Sequence, residues 1–343
     1  MVIVMSPAAT EAELAEVVAV IEGGGGKAFV SRGVARTIVG VVAGEAVLES
    51  LDVAGLPGVA DVVRITAPYK LVSRENHAHT TTVHVGGVPI GPEHFTLIAG
   101  PCAVETPEQT LAAALMARRA GAALLRGGAY KPRTSPYAFQ GLGVEGLKIL
   151  ADVRAETGMP VVTEVVDAAD VEIVAEYADM LQIGTRNMQN FALLQAVGAA
   201  GKPVMLKRGM TATYEEWLMA AEYIAQRGNL DIVLCERGVR SFEPALRNML
   251  DISAVPMVHA MSHLPIIVDP SHAAGRRDLV VPLARAAIAA GAEAVMVDVH
   301  PHPETARCDG PQALTDGALD ELAQVVATLP ALLGRRTTAP QIV

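Results

Sequence analysis

The chain has 343 residues, of which 51% are hydrophobic and only 3% are aromatic. This length allows two domains, one of them large, and the composition requires a core of Ala, Val, Leu and Ile. Three cysteines argue against a disulfide scaffold, and a formal net charge of −10 argues against nonspecific nucleic-acid binding. Because it has neither a leader-type segment nor an apolar run of about 18 residues, we expect a cytoplasmic protein that binds no membrane.

The first 66 residues predict a small, separate domain. Thr10 is the expected N-cap of a helix that runs to about Ile21, and the glycines at 23–26 end this helix. A second helix is expected at 45–51. The expected strands occupy residues 2–5, 28–31, 36–42 and 59–66. The resulting order, β-α-β-β-α-β, is that of the ferredoxin-like split motif.

Residues 67–94 are polar and are interrupted by glycine and proline. Within them, the alternating segment 81–85 predicts a hairpin. We interpret this stretch as a linker and as a plug for the base of the domain that follows.

From residue 95 onward, one pattern occurs eight times: a short apolar run that ends at a polar or charged residue. The runs span 95–102, 123–128, 160–164, 180–186, 203–208, 232–237, 265–272 and 294–298. Continuous apolar runs are typical of parallel strands buried on both faces, and helix-like segments lie between most of them. We therefore predict a (β/α)8 TIM barrel over residues 95–335, followed by a solvated tail at 336–343. An open doubly wound sheet would require a Gly-rich phosphate loop after its first strand, and residues 99–102 are not that loop.

The residues that end these runs are expected to meet at one end of the barrel, where the active sites of such barrels lie. They are Cys102, Arg126, Glu164, Arg186, Lys207, Arg237, His272 and Asp298. With one aspartate from the last loop, three of them form a mixed donor set that suits a divalent transition metal. These candidate ligands are Cys102, His272, Asp298 and Asp309. Taken singly, a cysteine of this kind is equally well explained as a small buried hydrophobe, and a histidine as a core residue.

Two histidines and two cysteines are further possible metal ligands, and each also has a simpler explanation. His300 and His302 are competing ligands or plain loop residues. Cys308 is either a thiol beside the site or a surface residue. Cys235 lies within the sixth run and is expected to pack in the core.

A second group of residues, at the strand ends or in the loops that follow, is cationic. Its members are Arg126, Lys131, Arg133, Arg186, Lys207, Arg208 and Arg237. A cation that ends a continuous apolar run is difficult to explain by packing, because burying it without a partner is costly. Arginine binds phosphate or carboxylate through paired hydrogen bonds, and lysine acts as a compact charge, so we expect several anionic groups to bind. Glu164 and Glu236 are counter-ions or proton-transfer groups in this interpretation.

These motifs resemble those of a known family, the type I 3-deoxy-D-arabino-heptulosonate 7-phosphate (DAHP) synthases, in the subgroup with a ferredoxin-like N-terminal regulatory domain. The resemblance spans essentially the whole chain. It rests on the segments 99–102 (Ala-Gly-Pro-Cys), 126–143, 182–186 (Gln-Ile-Gly-Thr-Arg), 206–209 (Leu-Lys-Arg-Gly), 235–238 (Cys-Glu-Arg-Gly) and 269–272 (Asp-Pro-Ser-His). The core Lys-Pro-Arg-Thr-Ser at 131–135 favours this family over the 3-deoxy-octulosonate 8-phosphate synthases, which share the barrel but usually carry an Ala-Asn-Arg-Ser type of loop.

The resemblance implies a role for each matching residue. It implies that a divalent ion (Mn²⁺, Co²⁺, Zn²⁺ or Fe²⁺) is held by Cys102, His272, Asp298 and Asp309. It implies that phosphoenolpyruvate binds at Arg126, Lys131, Glu164, Thr185, Arg186, Lys207 and Arg237. It implies that erythrose 4-phosphate binds at Lys131, Pro132, Arg133, Thr134 and Ser135. Lys131, Glu164 and His272 are the implied catalytic residues.

Two positions depart from the pattern of the family. Asp298 stands where a glutamate is usual, and Thr185 stands where an alanine is usual. Aspartate is one methylene shorter, so the departure at Asp298 bears on metal affinity more than on the reaction itself.

The implied reaction is a metal-dependent, aldol-type condensation of phosphoenolpyruvate with erythrose 4-phosphate. It gives DAHP and phosphate, and it is the first step of the shikimate pathway to the aromatic amino acids. The resemblance also implies a homotetramer and feedback inhibition by Tyr or Phe through residues 1–66, for which a purely structural role is the alternative. Two other functions stay open: an octulosonate synthase that uses arabinose 5-phosphate, and a non-catalytic partner that senses aromatic amino acids.

Overall fold

The computed structural model describes residues 1–33, 37–63 and 67–338. The N-terminal domain consists of β1 (Val2–Met5), α1 (Glu11–Gly23), β2 (Lys27–Arg32), β3 (Thr37–Val42), α2 (Glu45–Ser50) and β4 (Val59–Val63). Its strands form one antiparallel sheet in the order β2-β3-β1-β4, which confirms the ferredoxin-like topology. Arg36 and residues 64–66, expected to begin the third strand and to end the fourth, lie outside the described residues.

Helix α1 shows how the sequence sets the packing of this domain. Thr10 and Glu13 form a capping box that satisfies N–H groups at the start of the helix. Leu14, Val17 and Ile21 recur at helical spacing and are buried against the sheet. The core that they form with the strands is separate from the core of the second domain.

A two-stranded hairpin follows the linker. It consists of β5 (Val83–Val85) and β6 (Val88–Ile90), which pair antiparallel. Its apolar side chains are buried among those that fill the interior of the second domain, Cys235 among them. At the hairpin turn, a Cβ added to Gly86 would lie 2.6 Å from Pro160, the residue before a barrel strand. The hairpin therefore closes the end at which the barrel strands begin.

The second domain is a closed parallel barrel with eight strands among the described residues, as predicted. The strands are β7 (His94–Gly100), β8 (Leu124–Arg126), β9 (Val161–Glu164), β10 (Met180–Ile183), β11 (Val204–Lys207), β12 (Ile232–Glu236), β13 (Ile266–Val268) and β14 (Ala294–Asp298). Each of the eight predicted runs contains or overlaps one strand. Pairing of β14 with β7 closes the barrel and sets Asp298 opposite Gly100.

Helices surround the barrel. They are α3 (Pro107–Arg119), α4 (Val144–Thr157), α5 (Val171–Tyr177), α6 (Phe191–Ala199), α7 (Tyr214–Ala225), α8 (Ala254–Met261), α9 (Pro270–Ala274), α10 (Arg277–Ala290) and α11 (Asp316–Leu332). In the described parts of the chain, none of the helices combines the length and the apolar character needed to cross a bilayer.

The C-terminal strand β15 (Arg336–Thr337) is an element that the sequence did not predict. It lies within the expected tail at 336–343, and its two exposed residues pair in parallel with His94 and Phe95 of β7. Thr337 Oγ1 also donates to the carbonyl oxygen of Val326 in α11. The pairing with β7 uses backbone groups, and a two-residue strand is too short to have a side-chain pattern. Residues 339–343 lie outside the described residues.

The linker is attached to the barrel through a buried carboxylate. Glu222 of α7 accepts hydrogen bonds from the N–H groups of Leu71 at 2.9 Å and Val72 at 3.1 Å. Leu71 in turn lies against Gly40 of β3, where an added Cβ would be 2.7 Å from the leucine side chain. These contacts connect the small sheet, the linker and the barrel.

Candidate active site

A cavity of about 570 Å³ opens at the end of the barrel where the strands end. Eight of its lining residues are cationic: Arg126, Lys131, Arg133, Arg186, Lys207, Arg237, Arg240 and Arg247. The acidic residues that line it are Glu164 and Asp309. An excess of positive charge inside a chain of net charge −10 marks the cavity as a site for anions.

The four candidate metal ligands converge on one side of this cavity. One donor atom from each of Cys102, His272, Asp298 and Asp309 lies within 4.8 Å of the others. His272 Nε2 is 3.6 Å from Cys102 Sγ, 3.5 Å from Asp298 Oδ2 and 3.6 Å from Asp309 Oδ2. A thiol, an imidazole and two carboxylates in this arrangement fit a divalent transition metal. The cluster can therefore hold an ion.

The charges of these side chains shift one another's pKa values. Burial disfavours the charged form of His272, but the carboxylates of Asp269 and Asp298 outweigh burial and raise the pKa of His272 to about 10. Burial likewise opposes ionisation of Asp309, yet His272 and Arg247 hold the pKa of that carboxyl well below its usual range. The cluster thus contains carboxylate charge that a bound cation would balance.

Asp269, directly after β13, contacts both halves of the site. Its Oδ2 is 2.6 Å from Lys207 Nζ and 2.7 Å from His272 Nδ1, and its Oδ1 accepts the backbone N–H of His272. The same carboxylate caps α9, the short helix that contains His272. A carboxylate on the outer nitrogen of a metal-binding histidine fixes the orientation of the ring. Asp269 has no role among the sequence-based predictions, although an aspartate before Pro270 is a recognisable cap signal.

Two buried cations of the cavity form no ion pair with a carboxylate in the described part of the chain. Arg237 is 5% exposed and donates to the carbonyl oxygens of His272 at 3.0 Å and Gly238 at 3.4 Å. Burial lowers the pKa of Arg237, as expected for a cation removed from water. Lys131 Nζ donates to the carbonyl oxygen of Cys102 at 2.8 Å. Because burying an unpaired cation is costly, both residues indicate an anionic ligand.

Glu164 and Arg126 have polar atoms that no protein group satisfies. Glu164, at the end of β9, accepts a hydrogen bond from Gln182 through Oε2 at 3.2 Å, whereas its Oε1 is buried without a partner. Arg126 lies 3.1 Å from Asp298 and donates to the carbonyl oxygen of Pro101 at 2.7 Å, but its Nε is buried without a partner. Buried polar atoms of this kind are uncommon, and at a cavity they indicate a position for a ligand or water.

The loop after β8 forms the outer wall of the cavity. Burial decreases along it, through Lys131, Pro132, Arg133, Thr134 and Ser135. Arg133 Nη1 lies 2.6 Å from Cys308 Sγ, and Arg186 Nη2 lies 3.4 Å from Thr134 Oγ1. Arg186 is exposed and, with Thr185, belongs to a turn after β10 rather than to the strand. The loop and Arg186 therefore form the solvent-facing half of the cavity.

Comparisons with known proteins agree with this arrangement. Residues 72–333 match the model of the DAHP synthetase I family, and residues 1–67 match that of the DAHP synthase ferredoxin-like domain. The chain belongs to the DAHP synthetase I family. A phospho-2-dehydro-3-deoxyheptonate aldolase of Thermotoga maritima is 51% identical over 334 residues, covering 97% of this chain and 99% of that relative. A crystal structure of a T. maritima protein with this name, also called DAHP synthase, is 50% identical, covers 98% of this chain and 99% of that chain, and has a TM-score of 0.78.

Relatives with a different name are more distant. A 2-dehydro-3-deoxyphosphooctonate aldolase of Acidithiobacillus ferrooxidans is 35% identical over 259 residues, covering 70% of this chain and 91% of that relative. It corresponds to the octulosonate alternative raised by the sequence. Because the match at 51% identity extends over almost the whole chain, both domains agree with the heptonate aldolases.

Arg208 and Glu236 form a structural ion pair outside the cavity. Arg208 Nη1 is 2.9 Å from Glu236 Oε2 and 2.8 Å from Asp251 Oδ2, and the guanidinium lies over the ring of Tyr214. The inclusion of Arg208 among the anion-binding candidates is therefore wrong, because protein carboxylates already neutralise it. Its position next to Lys207 in the sequence gave no sign that the two side chains point to different places.

The structure also adds two cations that the sequence-based candidates omit. Arg240 and Arg247 line the cavity from the loop after β12, and Arg247 Nη1 is 3.0 Å from Asp309 Oδ1. Both follow Arg237, the cation that ends the sixth apolar run, and this position is the signal that could have identified them. His300 and His302 lie outside the cluster of four metal-ligand candidates.

Proposed function

We propose that this protein is a DAHP synthase, which condenses phosphoenolpyruvate with erythrose 4-phosphate to give DAHP and phosphate. The observation that carries the proposal is one cavity in which Arg237 and Lys131, buried without carboxylate partners, lie beside a Cys/His/Asp/Asp cluster. Two phosphorylated substrates, one of them also a carboxylate, require several cations in a single cavity. The name of the T. maritima relative supports the same activity.

In this proposal the inner cations, together with Thr185 and Arg186 from the turn after β10, bind phosphoenolpyruvate, and the outer loop binds erythrose 4-phosphate. The phosphoenolpyruvate groups are Arg126, Lys131, Glu164, Thr185, Arg186, Lys207 and Arg237. The erythrose 4-phosphate groups are Lys131, Pro132, Arg133, Thr134 and Ser135. Lys131 is common to both sets, because it is buried between the inner cations and the exposed part of its loop. Fixing two anionic substrates in this way supplies orientation and charge stabilisation, which are the main contributions of the protein.

The condensation forms a bond between C3 of phosphoenolpyruvate and the aldehyde carbon. Lys131 Nζ donates a proton to the aldehyde oxygen as this bond forms. Water then adds at C2, and Glu164 Oε1, the buried oxygen without a protein partner, accepts its proton. The bond from C2 to the phosphate oxygen of the resulting hemiketal then breaks, and the C2 hydroxyl proton leaves with the phosphate as a ketone forms at C2. His272 belongs to this catalytic set through its place in the metal-ligand cluster.

A divalent ion, Mn²⁺, Co²⁺, Zn²⁺ or Fe²⁺, is held in this proposal by Cys102, His272, Asp298 and Asp309. When bound, such an ion supplies Lewis-acid polarisation and orientation of the aldehyde carbonyl. The residues fit the ion, since they combine a soft thiol with an imidazole and two carboxylates in one buried cluster.

The aldose specificity tests the proposal. The metal-loaded protein is incubated with phosphoenolpyruvate and either erythrose 4-phosphate or arabinose 5-phosphate, and the loss of phosphoenolpyruvate is followed. We expect loss with erythrose 4-phosphate and much slower loss with arabinose 5-phosphate. The reverse preference would support the octulosonate alternative, and no loss with either aldose would support a non-catalytic sensor.

The N-terminal domain has a regulatory role in this proposal, with Tyr or Phe as the effector. Supporting this role, residues 1–67 match the DAHP synthase ferredoxin-like domain, and this domain has its own core. We expect Tyr or Phe to inhibit the full chain and to leave a variant lacking residues 1–66 uninhibited. Equal inhibition of both proteins by these amino acids would remove the domain from this role.

The remaining expectations are part of the same proposal. The chain is divided into residues 1–66, a linker and hairpin at 67–94, a catalytic barrel at 95–335 and a tail at 336–343. A homotetramer, a cytoplasmic location and the absence of a nucleic-acid or membrane partner stay predictions.

A further inference from the structure

Gln312 is a buried side chain beside the metal-ligand candidates, and the proposed function gives it no task. It ends a short 3₁₀ helix, Gly310–Gln312, between β14 and α11, and is 2% exposed. Its Nε2 donates a hydrogen bond to Oδ2 of Asp298 at 2.6 Å. Its Oε1 accepts a hydrogen bond from Nη1 of Arg247 at 3.3 Å. Both ends of the amide are therefore in use.

These two partners fix the orientation of the amide. Its nitrogen faces a carboxylate and its oxygen faces a guanidinium, and the reverse orientation would set the oxygen against Asp298 and the nitrogen against Arg247. Because Gln312 and Asp298 are both buried, solvent has little access to the hydrogen bond between them. Gln312 therefore presents a donor, and not an acceptor, to this carboxylate.

The oxygen that Gln312 contacts is the one that Asp298 directs to the metal-ligand cluster. Asp298 Oδ2 is 3.5 Å from His272 Nε2, whereas Oδ1 is 3.1 Å from Arg126 Nη1. A carboxylate oxygen has two lone pairs, so Oδ2 can accept the amide hydrogen and bind an ion at the same time. Carboxylates that bind metals are commonly held by such hydrogen bonds, which orient them. Gln312 occupies the position of a partner of this kind.

Arg247 extends the same arrangement to a second candidate ligand, Asp309. Its Nη1 is 3.0 Å from Asp309 Oδ1, while Asp309 Oδ2 accepts a hydrogen bond from Cys102 Sγ at 3.1 Å. Both carboxylates thus direct one oxygen to the cluster and the other to an arginine. Through its contacts with Asp298 and Arg247, the amide of Gln312 links the two carboxylates.

The backbone holds Gln312 in this place. The N–H of Leu314 donates to the carbonyl oxygen of Asp298 at 2.8 Å, so the segment that contains Gln312 lies along the end of β14. Asp309 has a φ of 53°, in the left-handed region, and its carbonyl oxygen accepts the N–H of Gln312 at 3.3 Å. The turn after Asp309 therefore brings the glutamine back to the site that the aspartate enters.

We propose that Gln312 is a positioning residue for the metal site. Its amide orients Asp298 directly, and Arg247 extends this effect to Asp309. The inference rests on the proposed function for the presence of a metal ion, and the four assigned ligands stay the same. Without the amide, both carboxylates gain freedom to turn away from the ion. Loss of such a hydrogen-bonding partner lowers metal affinity by about 10- to 100-fold.

Zinc affinity tests the proposal. The full chain and the variant Gln312→Leu, which has neither the donor nor the acceptor, are titrated with Zn²⁺ in competition with a chromophoric chelator. We expect the Kd for Zn²⁺ to rise by about 10- to 100-fold in the variant. Equal affinities of the two proteins, or no zinc binding by the unmodified chain, would overturn the proposal.

Gln182→Leu is the matched control for this titration. Gln182 is also buried and also donates to a carboxylate, but its partner is Glu164 Oε2 at 3.2 Å, outside the metal-ligand cluster. We expect its zinc affinity to stay close to that of the unmodified protein. An equal loss of zinc affinity in both variants would show that any buried glutamine of the barrel has this effect, and would contradict a specific role of Gln312.

Unfolding in urea separates positioning from a merely structural role. A structural role would lower the free energy of unfolding by the same amount with and without Zn²⁺. An ion that binds only the folded chain stabilises it according to its affinity, so we expect a smaller zinc-induced gain in Gln312→Leu than in the unmodified protein. Equal gains in the two proteins would contradict the positioning role.

A crystal structure of the zinc-loaded, unmodified chain covers the case in which Gln312→Leu fails to fold. We expect Nε2 of Gln312 at hydrogen-bond distance from an Asp298 oxygen that binds the ion. An amide turned away from Asp298, or an ion that Asp298 does not bind, would overturn the proposal. These readouts are independent of turnover. If zinc affinity falls in the variant but the unmodified protein consumes no phosphoenolpyruvate, the positioning role stands and the proposed function fails.

Discussion

The carboxylate of Asp269 contacts Lys207 on one side and His272 on the other, at 2.6 and 2.7 Å. It is fully buried, so the interaction is little screened by solvent. Lys207 belongs to the proposed phosphoenolpyruvate site and His272 to the proposed metal site. Asp269 is therefore a positioning residue that fixes the two halves of the site relative to each other.

We expect Asp269→Asn to lower kcat/KM by about 10- to 100-fold, because the amide keeps the shape but cannot neutralise Lys207 or orient His272 as strongly. The measurement is steady-state kinetics with zinc or manganese present, together with metal affinity. Asp179→Asn is the control, since this carboxylate pairs with Arg154 at 2.9 Å directly before β10, at the opposite end of the barrel. Equal kinetic effects of the two substitutions would contradict the special role of Asp269.

At the residue scale, the sequence predicted which side chains lie at the strand ends, but not which of them contact one another. Cys102, Glu164 and His272 were identifiable because each ends an apolar run, and that position in a barrel determines where the side chain points. The role of Asp269 depends on two distances across the barrel, and the neutralisation of Arg208 depends on Asp251, which is 43 residues further along the chain. The spacing of residues within one apolar run contains no information on contacts between residues of different runs or loops.

The geometry of the site depends on the close approach of the end of β7 to the end of β8. Gly100 has a φ of 156°, and a Cβ at this residue would lie 2.1 Å from the backbone oxygen of Arg126 at the end of β8. The two strands carry a metal-ligand candidate, Cys102, and a cavity arginine, Arg126. Only glycine allows both strand ends to approach in this way.

We expect Gly100→Ala to lower activity by at least about 100-fold. The added methyl group forces β7 and β8 apart, and this moves Cys102 and Arg126 out of the positions that orient the reacting groups. Kinetics with both substrates, alongside thermal unfolding, is the measurement. Gly201→Ala serves as control, because Gly201 has a φ of 66° but no atom within 4 Å of an added Cβ. Its backbone strain should reduce stability and leave kcat nearly unchanged. Full activity of Gly100→Ala would contradict the importance of this approach.

His263 connects the linker to the barrel. It lies between α8 and β13, Thr81 Oγ1 is 2.7 Å from its Nδ1, and the carbonyl oxygen of Leu71 is 2.9 Å from its Nε2. The neutral ring can satisfy both contacts, and burial lowers the pKa of His263 to about 4. The unfolded chain binds a proton at this residue near pH 6.5, whereas the folded chain does so only near pH 4.

Stability therefore falls as the pH is lowered through this window, because the unfolded state gains a proton that the folded state refuses. The depressed pKa corresponds to about 3 kcal/mol of unfolding free energy, lost between pH 6.5 and 4. We expect urea unfolding of His263→Gln to depend less steeply on pH over this range than unfolding of the unmodified protein. His84→Gln, at an exposed position of β5, should keep the original dependence. Identical pH profiles for the unmodified protein and His263→Gln would contradict this account.

At the element scale, the sequence predicted segments with a long pattern and missed those without one. The eight barrel runs and α1 each repeat an apolar spacing that one strand or helix explains. Strand β15 has only two residues and is exposed, and it forms through backbone pairing with β7. No periodicity exists in so short a segment.

At the scale of the whole molecule, positive charge is concentrated in the cavity although the chain is acidic overall. The chain has a formal net charge of −10, yet eight cationic residues line one cavity at the end of the barrel. Four of these cations, Arg126, Lys131, Lys207 and Arg237, are buried. Burying them together opposes folding unless anions lie among them, which agrees with two phosphorylated substrates. The fold was predictable from the sequence because eight repeats of one pattern leave few other architectures.

The condensation itself is tested most directly by ³¹P NMR of the full chain with phosphoenolpyruvate and erythrose 4-phosphate, before and after removal of bound metal. Our account predicts one inorganic phosphate released for each phosphoenolpyruvate consumed, with the erythrose phosphate retained in the product. It also predicts no turnover after metal removal and recovery when metal is returned. Phosphate release without erythrose 4-phosphate, or full turnover in protein shown by elemental analysis to lack metal, would contradict the account.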